Sequence, residues 1–411
     1  MPASELDPQE AIRLVAGRVL DTRLDELVHR AVDRLRADEP EYATSEVSRA
    51  DLINMMRRTL ALALTRAAGR PIPPAIADAA AEAGRVRARQ RLPLPALLHA
   101  FRIDLRILWE AIIDEGRSRG LAANESFVES SVLLWEAVEN NTAEMVDAYR
   151  STEHDMALHL DELRHAAFEH LIGPGEGDPA AVREASRRLD LPADGQVLVV
   201  VAEDVPHRHE ASRIAATRLR SLALPHYQAW RPDELCVLAA LGDRGTADVL
   251  AALRSLDDWR CGGFVADGLA GVPQGIRLAR AVIRAATGPG LRLLDSCWLA
   301  TMANADDELG AALARKLLAG LLALPEHERA VTLETLATYL DSDGSVLEVA
   351  SKIYRHRNTV RNRLQAVERV TGLRLSRPRD LATLTLAMEW LRGPSGGELT
   401  GEWPAPRPGS P

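Results

Sequence analysis

The sequence predicts a multidomain α+β protein with an N-terminal all-α helical bundle, a central ferredoxin-like α/β sandwich and a C-terminal all-α helix-turn-helix. Apolar residues first recur at the three- and four-residue steps of amphipathic helices, then in short β-branched runs, and finally at helical spacing again. A chain of 411 residues is also too long for one ordinary core. The predicted domains are 8–171, 178–300 and 325–392, followed by a Pro/Gly/Ser-rich tail, 393–411, that we expect to be disordered.

The composition is that of a soluble globular protein, with 46% hydrophobic and 27% charged residues. Aromatic residues make up only 4% of the chain, which leaves few rings for stacking on bases and disfavours single-stranded nucleic acid as a ligand. The net charge of −9 argues against a protein that coats DNA over its whole surface. A small basic module on an acidic body is compatible with that charge, because electrostatic binding depends on the local patch.

The sequence shows no signal for a membrane or for an oxidising compartment. The N-terminal segment lacks a basic stretch followed by an apolar run, and no window reaches the roughly 18 consecutive apolar residues of a membrane span. The three cysteines, Cys236, Cys261 and Cys297, are too widely spaced for a disulfide framework or a zinc pattern. We therefore expect a cytoplasmic protein with reduced thiols.

The N-terminal domain is predicted to be helical almost throughout, with breaks where the chain carries helix-stopping residues. These breaks fall at Asp38–Pro40, Gly69–Pro74 and Leu92–Pro93. The apolar face of the last segment, about 125–170, is expected to form bundle core or a dimer seam. Its histidines follow one another at five- and six-residue steps, which places neighbours on different helix faces, so we expect surface or interface histidines and no metal site. They are His154, His159, His165 and His170.

The central domain begins with the run QVLVVV at Gln196–Val201, which is typical of a buried strand. Helical and strand-like segments follow in the order β-α-β-β-α-β, with the second helix at Thr246–Asp257 and one further helix and strand at the end. This order predicts a ferredoxin-like α/β sandwich. Such a domain commonly serves ligand binding or dimerisation, and the fold alone does not decide between them.

Near the C-terminus the pattern predicts a short helix, a tight turn and a second helix. Ser345 is predicted to cap the short helix, whose apolar side includes Ala350, a residue small enough for the close crossing of two helices. Tyr354 and Arg355 occupy the turn, and the next helix spans about 357–370. Three apolar residues at steps of four and three would face the core from that helix: Val360, Leu364 and Val367.

The remaining faces of this second helix and its flanks carry side chains suited to duplex DNA. Arginine can form bidentate hydrogen bonds with guanine, asparagine can do so with adenine, and threonine can meet a phosphate or a thymine methyl group. We predict base or groove contacts from Arg357, Asn358, Thr359, Arg361 and Asn362. We predict phosphate contacts from Lys352, Arg355, His356 and Arg363. The alternative is a solvated Arg-rich helix in an Arg-rich protein, which a charge run alone would favour.

The segment 332–390 closely resembles the C-terminal helix-turn-helix of PucR/CdaR-type regulators. Its most specific piece, HRNTVRNRL at His356–Leu364, is similar to the family's HRNTVRYRL. Asn362 stands where the family has an aromatic residue, and Arg355 replaces the usual apolar residue before the histidine. Neither departure changes the predicted fold, although the first alters one side chain on the predicted contact face.

Two upstream segments extend the resemblance. Residues 162–202 resemble the entry to the family's GGDEF-like domain, and residues 27–117 resemble the N-terminal helical domain of RsbR-type stress-signalling proteins. The resemblance implies a signal-responsive transcription regulator that binds double-stranded DNA as a homodimer or higher homo-oligomer. A small-molecule effector or a signalling protein would be a further partner, and no membrane is implied. The alternatives are a stress-signalling scaffold that acts through protein–protein contacts, and a nucleotide cyclase.

A working GGDEF cyclase needs glycines for close approach of the nucleotide and acidic residues for metal ions. At the corresponding hairpin this chain has Arg231–Glu234, with the sequence RPDE, so both glycines are gone and proline removes an amide donor. Asp204 could supply a second carboxylate, but no nearby lysine corresponds to the one that would hold phosphates. We therefore expect a degenerate GGDEF-like domain with a dimerisation or sensing role, no catalytic residues, no cofactor and no metal.

Overall fold

The computed structural model describes residues 8–44, 47–120, 132–203 and 208–396. The chain divides into two compact units, residues 1–161 and 162–411, which we call the N-terminal unit and the C-terminal unit. Of the tail predicted to be disordered, residues 397–411 lie outside the described residues. In the described ranges, no helix has both the length and the apolar character that crossing a bilayer requires.

The N-terminal unit is built from helices, of which the last continues into the C-terminal unit. They are α1 (Pro8–Asp38), α2 (Pro40–Thr44), α3 (Arg49–Ala67), α4 (Ala79–Arg89), α5 (Leu94–Ser118) and α6 (Val132–Ile172). The predicted breaks are confirmed, because α1 ends directly before the Glu39–Pro40 pair and α5 begins after Pro93. Ser48 caps α3 by accepting a hydrogen bond from the backbone N–H of Asp51 at 3.1 Å.

The main core of the N-terminal unit joins α1, α3 and α5. Ile12, Leu27 and Leu35 of α1 are each at most 1% exposed. A second cluster joins α4, α5 and α6, and there a Cβ at Gly84 would overlap the carbonyl oxygen of Met145. The close approach of α4 to α6 therefore requires a residue without a side chain at this position.

The C-terminal unit begins with an α/β domain around one five-stranded sheet. Its strands are β1 (Gln196–Glu203), β2 (His226–Trp230), β3 (Glu234–Ala240), β4 (Arg260–Asp267) and β5 (Gly290–Leu293), and its helices are α7 (Pro179–Leu189), α8 (Arg208–Ser221), α9 (Thr246–Ala252) and α10 (Val272–Ala285). The strand order is β2-β3-β1-β4-β5, with antiparallel pairing throughout except for β5, which adds to β4 in parallel. The first four strands have the ferredoxin-like order, which confirms the predicted fold class.

Helices cover both faces of this sheet, so the central strand β1 is buried on both sides. Val197, Val199 and Val201 pack in a core with α7 and α10, whereas Leu198 and Val200 pack in a core with α8 and α9. This double burial explains why the QVLVVV run is apolar without alternation. The further helix predicted after β4 is α10, and it covers the face opposite to α8 and α9.

One predicted helix of the α/β domain is shorter than the sequence suggests. The segment 246–257 forms α9, which ends at Ala252, and then a separate 3₁₀ turn at Arg254–Leu256. Leu253 and Leu256 are both fully buried in the core beneath α8 and α9. Tertiary packing therefore bends the chain where the local pattern alone favours a continuous helix.

The rest of the C-terminal unit is helical. It comprises α11 (Trp298–Ala303), α12 (Asp307–Leu322), α13 (Glu326–Leu340), α14 (Val346–Lys352), α15 (Arg357–Thr371) and α16 (Pro378–Arg392). These helices share one core, in which Leu318, Leu336 and Leu384 are fully buried. This core fixes the positions of α14 and α15, and with them the corner that joins the two helices.

Candidate nucleic-acid interface

The predicted helix-turn-helix forms at α14 and α15. Ser345 caps α14, because its Oγ accepts a hydrogen bond from the backbone N–H of Glu348 at 3.4 Å. Val349 and Ala350 are buried in the core that α13, α14 and α15 share. Ala350 is 6% exposed, and its small side chain allows the close crossing that the sequence predicts.

The corner between α14 and α15 is short and sharply bent. Tyr354 has a φ of 51°, in the left-handed region that residues other than glycine rarely adopt. The backbone N–H of Arg355 donates to the carbonyl oxygen of Ala350 at 3.0 Å and closes the turn. The Tyr354 side chain is 91% exposed. The corner therefore displays an aromatic ring, where the sequence pattern indicated only a turn residue.

His356 caps the second helix. Its Nδ1 accepts a hydrogen bond from the backbone N–H of Asn358 at 3.3 Å. An accepting Nδ1 places the ring proton of a neutral imidazole on Nε2, which leaves an N–H donor on an exposed side chain. The sequence pattern predicts a phosphate contact from His356 but not this capping role, because histidine is not among the residues that usually cap helices.

One face of α15 is buried and the opposite face is polar. Val360, Leu364 and Val367 are each at most 5% exposed, as their spacing predicts. At about 3.6 residues per turn, the side chains that point farthest from this buried face form an exposed stripe along the helix. We call it the outer stripe, and it consists of Asn358, Asn362, Gln365 and Arg369. Amide and guanidinium groups thus face outward along the whole length of α15.

The structure places almost all the predicted contact residues on one exposed surface. The exposed ones are Lys352, Arg355, His356, Arg357, Asn358, Thr359, Arg361 and Asn362. Arg363 is the exception, since it is half-buried and its Nη1 donates to Thr335 Oγ1 of α13 at 3.2 Å. Arg363 lies at the edge of the buried face, next to Leu364, and its guanidinium therefore joins α15 to α13.

The positive charges on this surface are largely uncompensated. The described residues offer no ion-pair partner to three of its guanidinium groups, those of Arg355, Arg357 and Arg361. Lys352 pairs with Glu348 at 2.7 Å, and this hydrogen bond raises the pKa of Lys352 and lowers the pKa of Glu348. Glu368 accepts a hydrogen bond from the backbone N–H of Leu375 at 2.8 Å. The surface is a basic patch on a chain whose net charge is −9.

The structure adds Gln365 and Arg369 to the candidate contact residues. Both lie on the outer stripe, and together with Asn362 and Arg374 they line a shallow cavity of about 670 Å³. The signal that finds them is helical periodicity, which places residues three and four apart on one face. Steps of four, three and four residues from Asn358 lead through Asn362 to Gln365 and Arg369.

The hairpin between β2 and β3 carries ion pairs where a cyclase would carry glycines. Arg231 Nε lies 3.2 Å from Glu169 Oε1, and Arg231 Nη1 lies 3.3 Å from Glu234 Oε1. Arg280 of α10 donates from Nε to Glu234 Oε2 at 2.9 Å. Burial raises the pKa of Glu234, but the hydrogen bonds and charge of Arg280, together with the charge of Arg231, outweigh burial and hold that pKa below its ordinary value. The predicted second carboxylate, Asp204, lies outside the described residues.

The histidines of α6 lie on the surface. All four are exposed: His154, His159, His165 and His170. Within the part of the chain that the structure describes, no three His, Cys, Asp or Glu side chains are grouped closely enough to hold a metal ion.

The fold, together with the sharp turn between α14 and α15, defines the class of the protein. It is a multidomain α+β protein with a C-terminal helix-turn-helix. Three family models match the chain in order: the RsbT co-antagonist protein rsbRD N-terminal domain at residues 25–164, the GGDEF-like domain at 174–285 and the PucR C-terminal helix-turn-helix domain at 332–390. The chain therefore has the domain architecture of the PucR/CdaR-type proteins, which confirms the resemblance found in its sequence.

Among solved structures, the chain is similar to the crystal structure of the regulator of polyketide synthase expression from Bifidobacterium adolescentis. The two chains are 21% identical, and the TM-score is 0.31. The similarity covers 56% of this chain and 97% of the other. No curated protein matches the chain.

Proposed function

We propose that the protein is a cytoplasmic transcription regulator that responds to a signal and binds duplex DNA through α14 and α15. The observation that carries the proposal is the arrangement of α15, whose aliphatic edge is held in the core while arginine and amide side chains face outward. A helix of this shape fits the major groove, which is about 12 Å wide, with its N-terminal residues near the base edges.

Two groups of contacts follow from this docking. The first half of α15 would meet base edges through Arg357, Asn358, Thr359, Arg361 and Asn362, and its N-terminal flank would hold phosphates through Lys352, Arg355 and His356. The predicted phosphate contact from Arg363 would require breaking its hydrogen bond to Thr335. We therefore assign this guanidinium to orienting α15 against α13.

A second copy of the chain would complete the binding unit. All side chains from 153 to 162 of α6 are exposed, and among them Met156 and Leu160 lie four residues apart on one face. Apolar side chains left exposed on a helix favour a partner helix, which supports a dimer seam in this segment. Paired copies of α15 would then meet half-sites about 34 Å apart, which is one turn of the duplex.

The proposal assigns one role to each predicted domain. Residues 8–171 would sense a signal or bind a partner, residues 178–300 would serve dimerisation or sensing without catalysis, and residues 325–392 would bind DNA, with 393–411 as a tail. The ion pairs of Arg231 support the non-catalytic assignment. They fill, with paired charges, the corner where a cyclase brings nucleotide phosphates close to glycine backbone.

The test is selection of bound fragments from random duplex DNA, followed by affinity measurements on the selected sequence. Arg357→Ala and Arg361→Ala are each expected to weaken binding by roughly 5- to 150-fold, because a bidentate base contact contributes about 1–3 kcal/mol. Arg254→Ala removes the same charge from an exposed position of the α/β domain and should leave the affinity unchanged. Equal affinity of wild-type protein and both recognition-helix variants would contradict the proposal.

The salt dependence of binding and the turnover of GTP distinguish the proposed function from the two alternatives. The logarithm of duplex affinity should fall linearly with the logarithm of salt concentration, because phosphate contacts release counterions. Salt-insensitive capture of a protein partner, without duplex binding, would favour a stress-signalling scaffold. Turnover of GTP with magnesium would favour a nucleotide cyclase.

A further inference from the structure

A cleft of about 640 Å³ lies within the C-terminal unit, between the α/β domain and α13. Its volume falls in the range of about 300–1,000 Å³ that small-molecule sites occupy. One wall is formed by the end of α10, by β5 and by α11, and the other wall by α13 and the end of α16. The residues that line it are distinct from those proposed to contact DNA.

The cleft is open because small side chains line much of it. Five alanines contribute to its walls: Ala285, Ala286, Ala300, Ala330 and Ala337. Two packed protein surfaces usually fill the space between them with larger aliphatic side chains. Here the methyl groups leave room for a small molecule and provide apolar contact for its carbon skeleton.

Two opposite charges line the cleft without a counter-ion among the described residues. Arg292 of β5 donates from Nη1 to the carbonyl oxygen of Gly288 at 2.9 Å, and no described carboxylate pairs with it. Glu334 of α13 is exposed, and its carboxylate has no hydrogen-bond or ion-pair partner in the described ranges. By contrast, Arg392 in the same cleft is already paired with Asp341 at 2.9 Å.

We propose that this cleft binds a small zwitterionic molecule, such as an amino acid, whose carboxylate pairs with Arg292 and whose ammonium group pairs with Glu334. Hydrogen bonds between ionised groups are shorter and stronger than those between neutral groups. A zwitterion supplies both counter-charges at once. A ligand with a single charge would leave either the guanidinium or the carboxylate uncompensated.

A bound ligand would act on DNA binding through α13, and this step rests on the proposed function. Glu334 precedes Thr335, which accepts the hydrogen bond from Arg363 of α15. Leu333 and Leu336 of α13 are buried in the core that also contains the apolar face of α15. α13 therefore has one face on the cleft and another on the core beneath α15, so a ligand that favours one position of α13 shifts the population of α15 orientations.

Cys297 provides the readout, because it lines the cleft and is half-buried. Burial raises the pKa of Cys236 and of Cys261 to about 12, so these two thiols resist alkylation. They lie in the two cores on opposite faces of the sheet, Cys236 with α7 and α10 and Cys261 with α8 and α9. Alkylation of the full-length protein by iodoacetamide therefore reports on Cys297, and a ligand in the cleft is expected to slow it.

The probes are L-glutamate, L-leucine, L-arginine and 4-aminobutyrate, with succinate and putrescine as controls that carry only one sign of charge. We expect at least one zwitterion to slow alkylation of Cys297 at least tenfold at saturation, and both controls to leave it unchanged. Arg292→Ala and Glu334→Gln should each raise the concentration for half-protection at least tenfold. Glu308→Gln, which neutralises an exposed carboxylate on α12, should not change it.

Protection by none of the zwitterions, or protection that survives both cleft substitutions, would overturn the proposal. Equal protection by succinate would overturn it as well, because a simple anion would then suffice. Far-UV circular dichroism of the same variants, measured without ligand, shows whether they fold. In the wild-type protein, absence of ligand protection with intact duplex binding rejects the cleft alone, whereas ligand protection without duplex binding rejects only the regulator proposal.

Discussion

Among single residues, Arg363 adds a side-chain link to the core packing that positions α15, because its Nη1 donates to Thr335 Oγ1 of α13. Thr335→Val removes the acceptor and leaves a half-buried guanidinium without that partner, at a cost of about 1 kcal/mol. We expect duplex affinity, measured by fluorescence anisotropy, to fall by at most about fivefold, the full equivalent of that free energy, while its salt dependence stays the same. Thr338→Val, on the same helix, is the matched control.

The salt dependence of duplex affinity in Thr335→Val shows whether the released Arg363 contacts DNA instead. If the released Arg363 found a phosphate, the slope of log affinity against log salt would steepen by about one. Such a change in Thr335→Val would show that the guanidinium is a latent phosphate contact, and it would contradict the orienting role.

Asp104 of α5 is a second single residue with a testable effect, because its carboxyl is buried and makes stability depend on pH. It is 6% exposed, its Oδ1 has no hydrogen-bond partner among the described residues, and burial raises its pKa well above the ordinary value. The folded state thus favours the protonated carboxyl, so the wild-type protein loses stability as the pH rises from the unfolded-state pKa of about 4 towards the folded-state pKa. Asp104→Asn removes this loss.

We therefore expect Asp104→Asn to stabilise the N-terminal unit at pH 7, by about 1.4 kcal/mol for each pH unit between the unfolded-state pKa and either the folded-state pKa or pH 7, whichever is lower. The gain should vanish near pH 3, where both side chains are neutral. Hydrogen exchange of peptides from α5, followed as a function of pH, measures it. Asp114→Asn on the same helix is exposed and should show little effect. A gain that is independent of pH would contradict ionisation as the cause.

At the scale of elements, α15 is followed by Gly372, whose backbone conformation only glycine adopts easily. Gly372 has a φ of 72°, and a Cβ there would meet no atom within 4 Å. Gly372→Ala should therefore destabilise the end of α15 by about 1–2 kcal/mol through backbone strain alone. Hydrogen exchange of α15 peptides measures the change. Gly288→Ala, which also meets no neighbouring atom but lacks the positive φ, should be neutral or slightly stabilising, and equal losses in both variants would refute the argument.

Local chemistry explains why so many elements could be predicted from the sequence. Ser345 and Gly372 mark the start of α14 and the end of α15, and the QVLVVV run marks β1. The 3₁₀ turn at Arg254–Leu256 could not be predicted, because it depends on the core beneath it rather than on its own sequence. Within the candidate site, periodicity identified the exposed face of α15. The contact of Arg363 and the left-handed φ of Tyr354 depend on neighbouring helices and on chain closure, which no local pattern records.

For the whole molecule, the proposed dimer rests on the exposed segment of α6. Met156 and Leu160 lie four residues apart on one face, and Leu158 lies on the other. Charges placed on the seam should oppose pairing, so we expect Met156→Glu combined with Leu160→Glu to raise the dimer dissociation constant at least tenfold. Sedimentation equilibrium measures the constant, and Leu158→Glu is the control for an added charge.

The same pair of substitutions should change affinity for a duplex in a way that depends on its number of half-sites. Affinity for a duplex with two half-sites should fall, because the second recognition helix is no longer held nearby, while affinity for a single half-site should not change. Dimers that persist in the double variant would place the seam elsewhere on the chain.

The two buried cysteine thiols of the sheet can report the order in which the helices on its two faces pack during refolding. Cys236 and Cys261 lie on opposite sides of β1's sheet, so each becomes accessible to a reagent only when the helices on its own side detach. A brief pulse of alkylating agent during refolding, followed by peptide mass spectrometry, would record when each side closes. Simultaneous protection would indicate a single cooperative step, and staggered protection would show which pair of helices docks first.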